Sequence, residues 1–349
     1  MRLRRLRLLT GLVLMAFVTG HMANLMLGMH SLAAMESGRP WLMGPWRSAA
    51  GQGLLVCSAL VHLALGLYAI AARRSLAMSR TDWVQLFLGL ATPPLLLNHA
   101  IVMHMAGEVT PNFDSTYGQM LAVYWSFSPG YAFQQLGVVM VVWIHAAVGL
   151  YSWLVLKPAW TRIGGFVLPL LFAVPILALL GFAESGREVL EKLANDAAWR
   201  EHIGVNLRRV VAVTDPLNAL QAKLLVAYGV LVLAAAGVLA ARILRERFAR
   251  VTIAYDGGLE AQGRRGLSIL ELARLSGVPH AHVCSGRGRC GTCRVRVDAG
   301  ADQLSPMSGD ERATLARVGA GQGERLACQA RVADSGVVAT RLLPPWIGP

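Results

Sequence analysis

Four cysteines near the C-terminal end of the chain have a spacing that suits metal–sulfur chemistry. Cys284, Cys290 and Cys293 follow one another as C-x5-C-x2-C, and Cys328 comes later, within Arg-Leu-Ala-Cys-Gln. Four thiolates can hold a [2Fe–2S] cluster, and three close ligands with one distant ligand are a known spacing for such clusters. Most residues between the three close cysteines are small, which lets the loop wrap a cluster and point backbone N–H groups at its sulfurs.

Other uses of these thiols fit less well. A structural zinc site usually has two close cysteine pairs or a cysteine pair with a histidine pair, whereas Cys328 stands alone. His280 and His282 lie nearby and suggest a cluster with mixed ligands, but the four-cysteine set is complete without them. Disulfides are rare in reducing compartments, and the orientation argued below places this loop in the cytoplasm.

A second set of metal-ligating side chains lies in the apolar N-terminal part of the chain. Polar residues in membrane spans are costly and tend to be functional, although any single histidine could simply hydrogen-bond across helices. Taken together, the histidines place at least one imidazole in each of four consecutive apolar segments, which is the ligand set that two bis-histidine b-type haems require. These residues are His21, His30, His62, His99, His104 and His145.

The composition calls for elements that cross a membrane. Hydrophobic residues make up 55% of the chain and charged residues 15%, against about 25% charged residues in ordinary soluble proteins. The first apolar run follows a basic segment, but its length and the lack of a clear cleavage site predict a retained helix rather than a signal peptide. A run of about 20 apolar residues spans a bilayer, and the six predicted spans are Leu8–Met29, Ala49–Ala72, Trp83–Met105, Phe133–Leu156, Gly164–Phe182 and Pro216–Ala240.

Basic residues predict the orientation of these spans. Cytoplasmic loops of membrane proteins carry an excess of Lys and Arg, and here such residues precede the first span, separate the second from the third and the fourth from the fifth, and follow the sixth. Both termini and the cysteine loop are therefore expected in the cytoplasm of a bacterial-type inner membrane. These residues explain the net charge of +13. The sequence has no basic stripe with interleaved aromatic residues, so nucleic-acid binding is not expected.

Depth in the bilayer predicts which histidines face each other. With a rise of about 1.5 Å per residue, His21 and His99 lie toward the outer side, and His62 and His145 lie near the middle of their spans. This predicts an outer haem held by His21 and His99 and an inner haem held by His62 and His145. His104 is the rival ligand of the outer haem, because two consecutive prolines distort the third span.

After about residue 245 the chain becomes polar and rich in glycine, which predicts a membrane domain over 1–245 and a cytoplasmic domain over 246–349. Ser268 followed by Glu271 has the pattern of a capping box at the start of a helix. Alternating residues predict strands, and a second Ser with an acidic first turn predicts a second helix. The expected elements of this α+β domain are Val251–Tyr255, Leu259–Gly263, Ser268–Leu275, Arg294–Val297, Ser308–Arg317 and Val337–Leu343.

Residues from about 251 to 344 resemble a [2Fe–2S] ferredoxin with a β-grasp fold. The C-x5-C-x2-C spacing is nearer to the adrenodoxin-like type than to the plant type, which has four residues in the first gap. The resemblance implies that Cys284, Cys290, Cys293 and Cys328 are the cluster ligands. The expected fold class is therefore an all-α six-helix transmembrane bundle followed by a small α+β β-grasp ferredoxin domain.

Residues from about 1 to 185 resemble the cytochrome b membrane anchor of succinate dehydrogenase and fumarate reductase. The resemblance rests on Arg-Leu-Leu-Thr-Gly at the start of the first span, and on histidines in four consecutive spans followed by a fifth span without one. In dihaem members of that family the first and third helices share one haem, and the second and fourth share the other, which implies the same histidine pairs. The family also handles quinones, which implies a quinone partner. The sixth span and the fused ferredoxin depart from it.

The order of anchor and then ferredoxin is similar to the N-terminal half of certain bacterial membrane-bound class III adenylate cyclases. The sequence ends at Pro349, so neither cyclase nor hydrolase chemistry is expected. Two functions follow. The first is electron transfer between a membrane donor, such as a quinol, and a cytoplasmic redox partner. The second is redox sensing, with a separate output protein as the partner. A plain anchor would leave the histidine pattern unexplained, and a homodimer is compatible with either function.

Overall fold

A helical region is followed by a small domain built on a mixed sheet, as the sequence predicts. The structure is a computed structural model that describes residues 2–101 and 105–344. The helices of the first region are α1 (Arg2–Met26), α2 (Leu32–Leu42), α3 (Gly44–Arg47), α4 (Ala49–Ala71), α5 (Arg80–Ala100), α6 (Ala106–Val109), α7 (Tyr117–Ala122), α8 (Gly130–Leu154), α9 (Trp160–Asn195) and α10 (Ala197–Arg245).

Long apolar helices dominate this region. In the described part of the chain, five of them are long and apolar enough to cross a membrane, namely those at Leu3–Met29, Ala49–Ala71, Gly130–Leu154, Trp160–Asn195 and Val213–Arg245. The expected count of six is not confirmed, because α5 carries polar residues such as Gln85 and Asn98 within its apolar sequence. Helix α5 nevertheless packs against α8 and so belongs to the same bundle.

The outer surface of the bundle is apolar. Phe166 and Phe172 on α9 are 76% and 70% exposed, and Leu233 on α10 is 72% exposed. An apolar patch of this extent is unfavourable in water, whereas the hydrocarbon core of a bilayer removes that cost. The long apolar helices therefore indicate insertion into a membrane.

Helices α9 and α10 run well beyond the predicted spans Gly164–Phe182 and Pro216–Ala240. Asp196 alone separates them, and its carboxylate accepts a hydrogen bond from the backbone N–H of Trp199 as the N-cap of α10. With 49 residues, α10 is about 70 Å long, more than twice the roughly 30 Å thickness of the hydrocarbon core. The ends of α9 and α10 therefore extend beyond the bilayer, where they pack with α7 around Val189 and Ile203.

The second domain has a five-stranded sheet in its described residues, in the order β2-β1-β5-β3-β4. Strand β1 pairs antiparallel with β2 and parallel with β5, and β3 pairs antiparallel with both β4 and β5. The capping box of Ser268 and Glu271 is present, which confirms that prediction. The elements are β1 (Arg250–Tyr255), β2 (Glu260–Arg264), α11 (Ile269–Leu275), β3 (Arg294–Ala299), α12 (Gly309–Arg317), β4 (Glu324–Leu326) and β5 (Val337–Arg341).

Arginines join the two regions. The Arg264 guanidinium donates to the backbone carbonyl of Arg74, 2.7 Å away, in the loop between α4 and α5. Arg74 in turn pairs with Glu246 at 2.8 Å, just after α10. Arg274 on α11 also donates to the carbonyl of Ala77 at 3.3 Å, in the same loop of the bundle. The sheet domain is thus held against one end of the bundle by charged hydrogen bonds to backbone oxygens, which are stronger than neutral ones.

Candidate functional site

The cysteine loop lies between α11 and β3 and depends on backbone conformations that favour glycine. Gly286, Gly288 and Gly291 have φ values of 86°, 67° and 77°, and Ser285 also has a positive φ of 51°. The left-handed region is costly for most other residues. These turns fold the loop back on itself, so that its thiols face the segment that follows β4.

The four predicted thiols come together as two pairs. The Sγ atoms of Cys293 and Cys328 lie 3.3 Å apart, and the thiols of Cys284 and Cys290 are close enough to shift each other's pKa. In the described ranges, no group of three or more His, Cys, Asp or Glu side chains is close enough together to hold a single metal ion. Two pairs suit a cluster with two irons, each needing two protein ligands, better than they suit one tetrahedral zinc.

Within each pair the two thiols have shifted acidities. The hydrogen bond from the Cys290 thiol lowers the pKa of Cys284 to about 5, and the hydrogen bond from Cys293 lowers the pKa of Cys328. The same hydrogen bonds, followed by burial, raise the pKa values of Cys290 and Cys293. Metal binding requires thiolates, and in each pair one thiol has its pKa shifted in the direction that favours the thiolate.

Helix α12 supports the cysteine loop from outside. The hydroxyl of Thr314 donates to the carbonyl of Gly288 at 2.7 Å, and Arg317 donates to the carbonyl of Arg289. The side chain of Val318 packs so closely on the loop that a Cβ at Gly291 would lie 2.9 Å from it. The loop is therefore fixed by neighbouring elements as well as by its own turns.

The outer histidine pair joins α1 and α5. The ring centres of His21 and His99 lie 6.0 Å apart, with an angle of 58° between the ring planes. Phe17 stacks on His21 with its ring centre 6.1 Å away, and the Tyr124 hydroxyl lies 3.4 Å from Nδ1 of His99. The rival ligand, His104, lies outside the described residues.

The inner histidine pair joins α4 and α8. The ring centres of His62 and His145 lie 6.3 Å apart, with an angle of 89° between the ring planes. Nδ1 of His62 lies 3.2 Å from the carbonyl oxygen of Arg7 and 3.3 Å from the hydroxyl of Thr10. Nδ1 of His145 is buried and has no hydrogen-bond partner within residues 2–101 and 105–344. The two predicted pairs are thus the ones that the bundle brings together.

Two glycines make room for the inner pair. A Cβ at Gly11 on α1 would lie 3.1 Å from Cε1 of His62, and a Cβ at Gly89 on α5 would lie 2.8 Å from Cε1 of His145. Each of these glycines precedes a histidine of the outer pair by ten residues, giving the pattern G-x9-H on both helices. The sequence prediction missed these glycines, although the repeated spacing was a signal that could have found them.

The cysteine loop touches the bundle close to the inner pair. Arg4 donates to the carbonyl oxygen of Arg287 at 2.8 Å, and the guanidinium of Arg287 pairs with Asp82 at 2.9 Å. Arg7, whose carbonyl faces His62, is one helical turn after Arg4 on α1. One turn of α1 therefore separates the contact with the cysteine loop from the contact with the inner pair.

The sequence model of the family described as 2Fe-2S iron-sulfur cluster binding domain matches residues 254–333. The chain is 31% identical over 84 residues to 2Fe-2S ferredoxin-5 of Aquifex aeolicus, which covers 88% of that protein and 24% of this chain. It is 40% identical over 73 residues to Chlorosome protein I of Chlorobaculum tepidum, which covers 30% of that protein and 21% of this chain.

The chain is also 36% identical over 83 residues to a component of the Na(+)-translocating NADH-quinone reductase of Chlamydia felis, covering 19% of that protein and 24% of this chain. The chain therefore spans less than a third of the length of these last two relatives. No solved structure matches it. The matched segment 254–333 contains all four cysteines of the two thiol pairs. Through this segment the chain belongs to the family of 2Fe-2S ferredoxins, in which an iron–sulfur cluster transfers electrons.

Proposed function

We propose that this protein transfers electrons between a quinone-linked haem b centre in the membrane and a [2Fe–2S] cluster on the cytoplasmic side. Iron–sulfur electron transfer follows from the ferredoxin family. The haems, the quinone and the orientation are the further parts of the proposal. The observation that carries it is that two imidazole pairs lie between helices, with the inner pair one helical turn from the docked cysteine loop.

The spacing of the imidazoles supports haem binding at both pairs. Two imidazoles that ligate one iron have ring centres roughly 6 Å apart, because a metal–nitrogen bond of this kind is about 2 Å long. The observed separations are 6.0 and 6.3 Å. The space that Gly11 and Gly89 leave beside the two imidazoles also fits a cofactor at the inner pair. When bound, such haems supply one-electron redox chemistry at His21 with His99 and at His62 with His145.

The residues around each pair orient its imidazoles. With Nδ1 of His62 facing the carbonyl of Arg7, Nε2 is the nitrogen left for a metal, and such a hydrogen bond fixes both the tautomer and the ring orientation. Tyr124, which is 7% exposed, makes the equivalent contact with His99 at the outer pair. Its burial also keeps bulk water from that imidazole.

In the second domain the proposed cluster ligands are Cys284, Cys290, Cys293 and Cys328. Their arrangement as two pairs and the lowered pKa of one thiol in each pair support this assignment. The strand order supports a β-grasp fold for the proposed domain 246–349. The proposed membrane domain, 1–245, has all four paired histidines.

The quinone partner is supported from two directions. The resemblance to cytochrome b anchors implies quinone chemistry, and the relative from Chlamydia felis is by its name part of an NADH-quinone reductase. The cytoplasmic side is supported by the basic residues that cluster where the bundle meets the ferredoxin domain, among them Arg4, Arg74 and Arg242.

A redox-sensing role is the second candidate. The observation that favours it is the continuity of α10, which runs from beyond the far side of the bilayer to the ferredoxin domain. The Arg264 guanidinium donates a hydrogen bond to the carbonyl oxygen of Ile243, 3.3 Å away and near the end of this helix. A change at one end of this continuous helix would therefore reach the ferredoxin domain and a separate output protein docked on it.

The test uses the full chain in bilayers, with quinol added to the oxidised protein and quinone added to the reduced protein. Haem absorbance and the electron paramagnetic resonance signal of the cluster are followed together. The haem absorbance and the cluster signal should both change after at least one of these two additions. With an artificial acceptor present, quinol oxidation should continue at a steady rate. His62→Ala should uncouple the cluster from the quinone, whereas His202→Ala, a change at an exposed histidine near the start of α10, should not. Cofactors that equilibrate with quinone without turnover would favour the sensor, and a haem signal that never responds to quinone would refute both roles.

A further inference from the structure

A basic cleft lies where the bundle meets the ferredoxin domain. It has a volume of about 370 Å³, and its walls come from the loop after α4, the end of α10 and the loops of the sheet domain. We use "basic cleft" for this space. Its charged side chains are Arg74, Arg245, Glu246, Arg265 and Arg331, so four guanidinium groups face one carboxylate.

In the described structure, Arg74 and Arg331 have partners for their guanidinium groups, whereas Arg245 and Arg265 have none. Arg74 pairs with Glu246 at 2.8 Å, and Arg331 donates to the carbonyl of Gly266 at 3.0 Å. Arg245 and Arg265 are not buried, and their guanidinium groups have no hydrogen-bond or ion-pair partner among the described residues. A concave surface lined by arginines from several chain segments concentrates positive potential, and guanidinium groups suit the planar, bidentate binding of phosphate.

The position of the cleft identifies the source of that phosphate. Arg245 is the last residue of an apolar segment long enough to cross the membrane. Three residues later Phe248 is 79% exposed, and the guanidinium carbon of Arg247 lies 4.4 Å from the centre of its ring. An exposed aromatic ring at the end of a spanning helix is typical of the headgroup layer. Four arginines between positions 242 and 250 match the juxtamembrane basic segments that bind anionic lipids.

We propose that the basic cleft binds the phosphate headgroup of an anionic phospholipid from the adjacent leaflet. Arg245 and Arg265 would contact the phosphate, one from the membrane helix and one from the turn after β2. The lipid would then bridge the two regions beside the direct contact of Arg264 with Arg74. This inference is independent of the proposed haems and quinone, since it rests only on the junction.

The test compares lipid retention by the full chain and its variants. Native mass spectrometry counts phosphatidylglycerol and phosphatidylcholine that remain bound after extraction from mixed bilayers. The wild-type protein is expected to retain phosphatidylglycerol in preference to phosphatidylcholine. Arg265→Gln and Arg245→Gln should each lower that preference about fivefold, since one arginine near an anionic surface contributes about this factor. Arg312→Gln is the matched control, because Arg312 is an exposed arginine of α12 in the same domain.

Hydrogen exchange gives a second readout and separates the sources of phosphate. In the wild-type protein, backbone amides around Arg265 and Gly266 should exchange more slowly in bilayers with phosphatidylglycerol than in neutral bilayers, and inorganic phosphate added to neutral bilayers should not reproduce the effect. Equal protection by inorganic phosphate would overturn the lipid assignment in favour of a soluble ligand. Equal lipid retention by Arg265→Gln and Arg312→Gln would overturn the site itself.

Discussion

The two candidate cofactor regions of this protein are built in opposite ways. In the ferredoxin domain, three of four proposed ligands lie within ten residues, on a loop fixed by glycines with positive φ. In the bundle each proposed ligand is on a different helix, and tertiary packing alone brings His21 to His99 and His62 to His145. The ferredoxin domain also has its own buried core around Ile253 and Leu272, whereas the bundle exposes its apolar surface to lipid.

This contrast explains why the two regions leave such different traces in the sequence. A ligand loop with fixed gaps and obligatory glycines is a local pattern, and the family match covers it. Histidines on separate helices are constrained only by their depth in the membrane and by the helix face on which they lie, so a cytochrome b pattern in the sequence is diffuse. The difference also predicts that a substitution at the site in one region leaves the cofactor of the other region in place.

The largest effect is expected from Cys293→Ser. It removes one thiol of the Cys293–Cys328 pair and should abolish the iron–sulfur signal, with non-haem iron and acid-labile sulfide falling at least about tenfold. Haem content should stay unchanged. The matched control is Cys57→Ser, since Cys57 is an exposed thiol on α4 outside both sites. Cluster binding by Cys293→Ser equal to that of Cys57→Ser would remove Cys293 from the ligand set.

His145→Ala should have the next largest effect. It removes one imidazole of the inner pair and is expected to halve the haem content measured as the pyridine haemochrome, while the cluster signal persists. His202→Ala provides the control, because this histidine is exposed near the start of α10, away from both histidine pairs. Loss of both haems in equal measure would contradict the assignment of His145 to a separate inner pair.

Gly89→Val should have a partial effect on the same pair. A Cβ at this position would lie 2.8 Å from Cε1 of His145, so the imidazole or α5 must move. We expect a shifted haem absorption band and a reduced content of the inner haem, with the cluster unaffected. Gly66→Val on α4 is the comparison, since a Cβ there meets nothing within 4 Å. Identical spectra for the two variants would show that the inner site is looser than the structure indicates.

Asp82→Asn should have the smallest effect, and it acts between the two regions. Its carboxylate pairs with Arg287 of the cysteine loop at 2.9 Å, and such a pair contributes about 1 kcal/mol. Both cofactors should be retained, while electron exchange between cluster and haem slows about fivefold and becomes less sensitive to salt. Asp334→Asn, in the exposed turn with Ser335, controls for loss of a charge. Equal rates in both variants would mean that this ion pair does not position the cluster loop.

The sequence predicted the elements with local signals and missed those without them. The capping box of Ser268 and Glu271 and the strand at Arg250–Tyr255 are local patterns, and both are present. Strand β4 has only three residues, too few for an alternating pattern. The near-continuity of α9 and α10 depends on a one-residue break at Asp196, which a mixed-charge segment does not reveal.

The candidate site shows the same division. The cysteine set and the histidine pairs could be predicted, because thiols and buried imidazoles are rare and their spacing is informative. The docking of the two regions could not, because Arg4 and Arg264 donate to backbone carbonyls, and such acceptors have no sequence signature. Only the folded chain shows that the cysteine loop lies one helical turn from the inner pair.

The central claim is that the bundle holds haem at two histidine pairs beside a ferredoxin cluster. The most direct test is the stoichiometry of the purified, folded full chain, with haem measured as the pyridine haemochrome and the cluster as non-haem iron and acid-labile sulfide. Two low-spin b-type haems are expected for each [2Fe–2S] cluster. A well-folded protein that carries the cluster but no haem would contradict it.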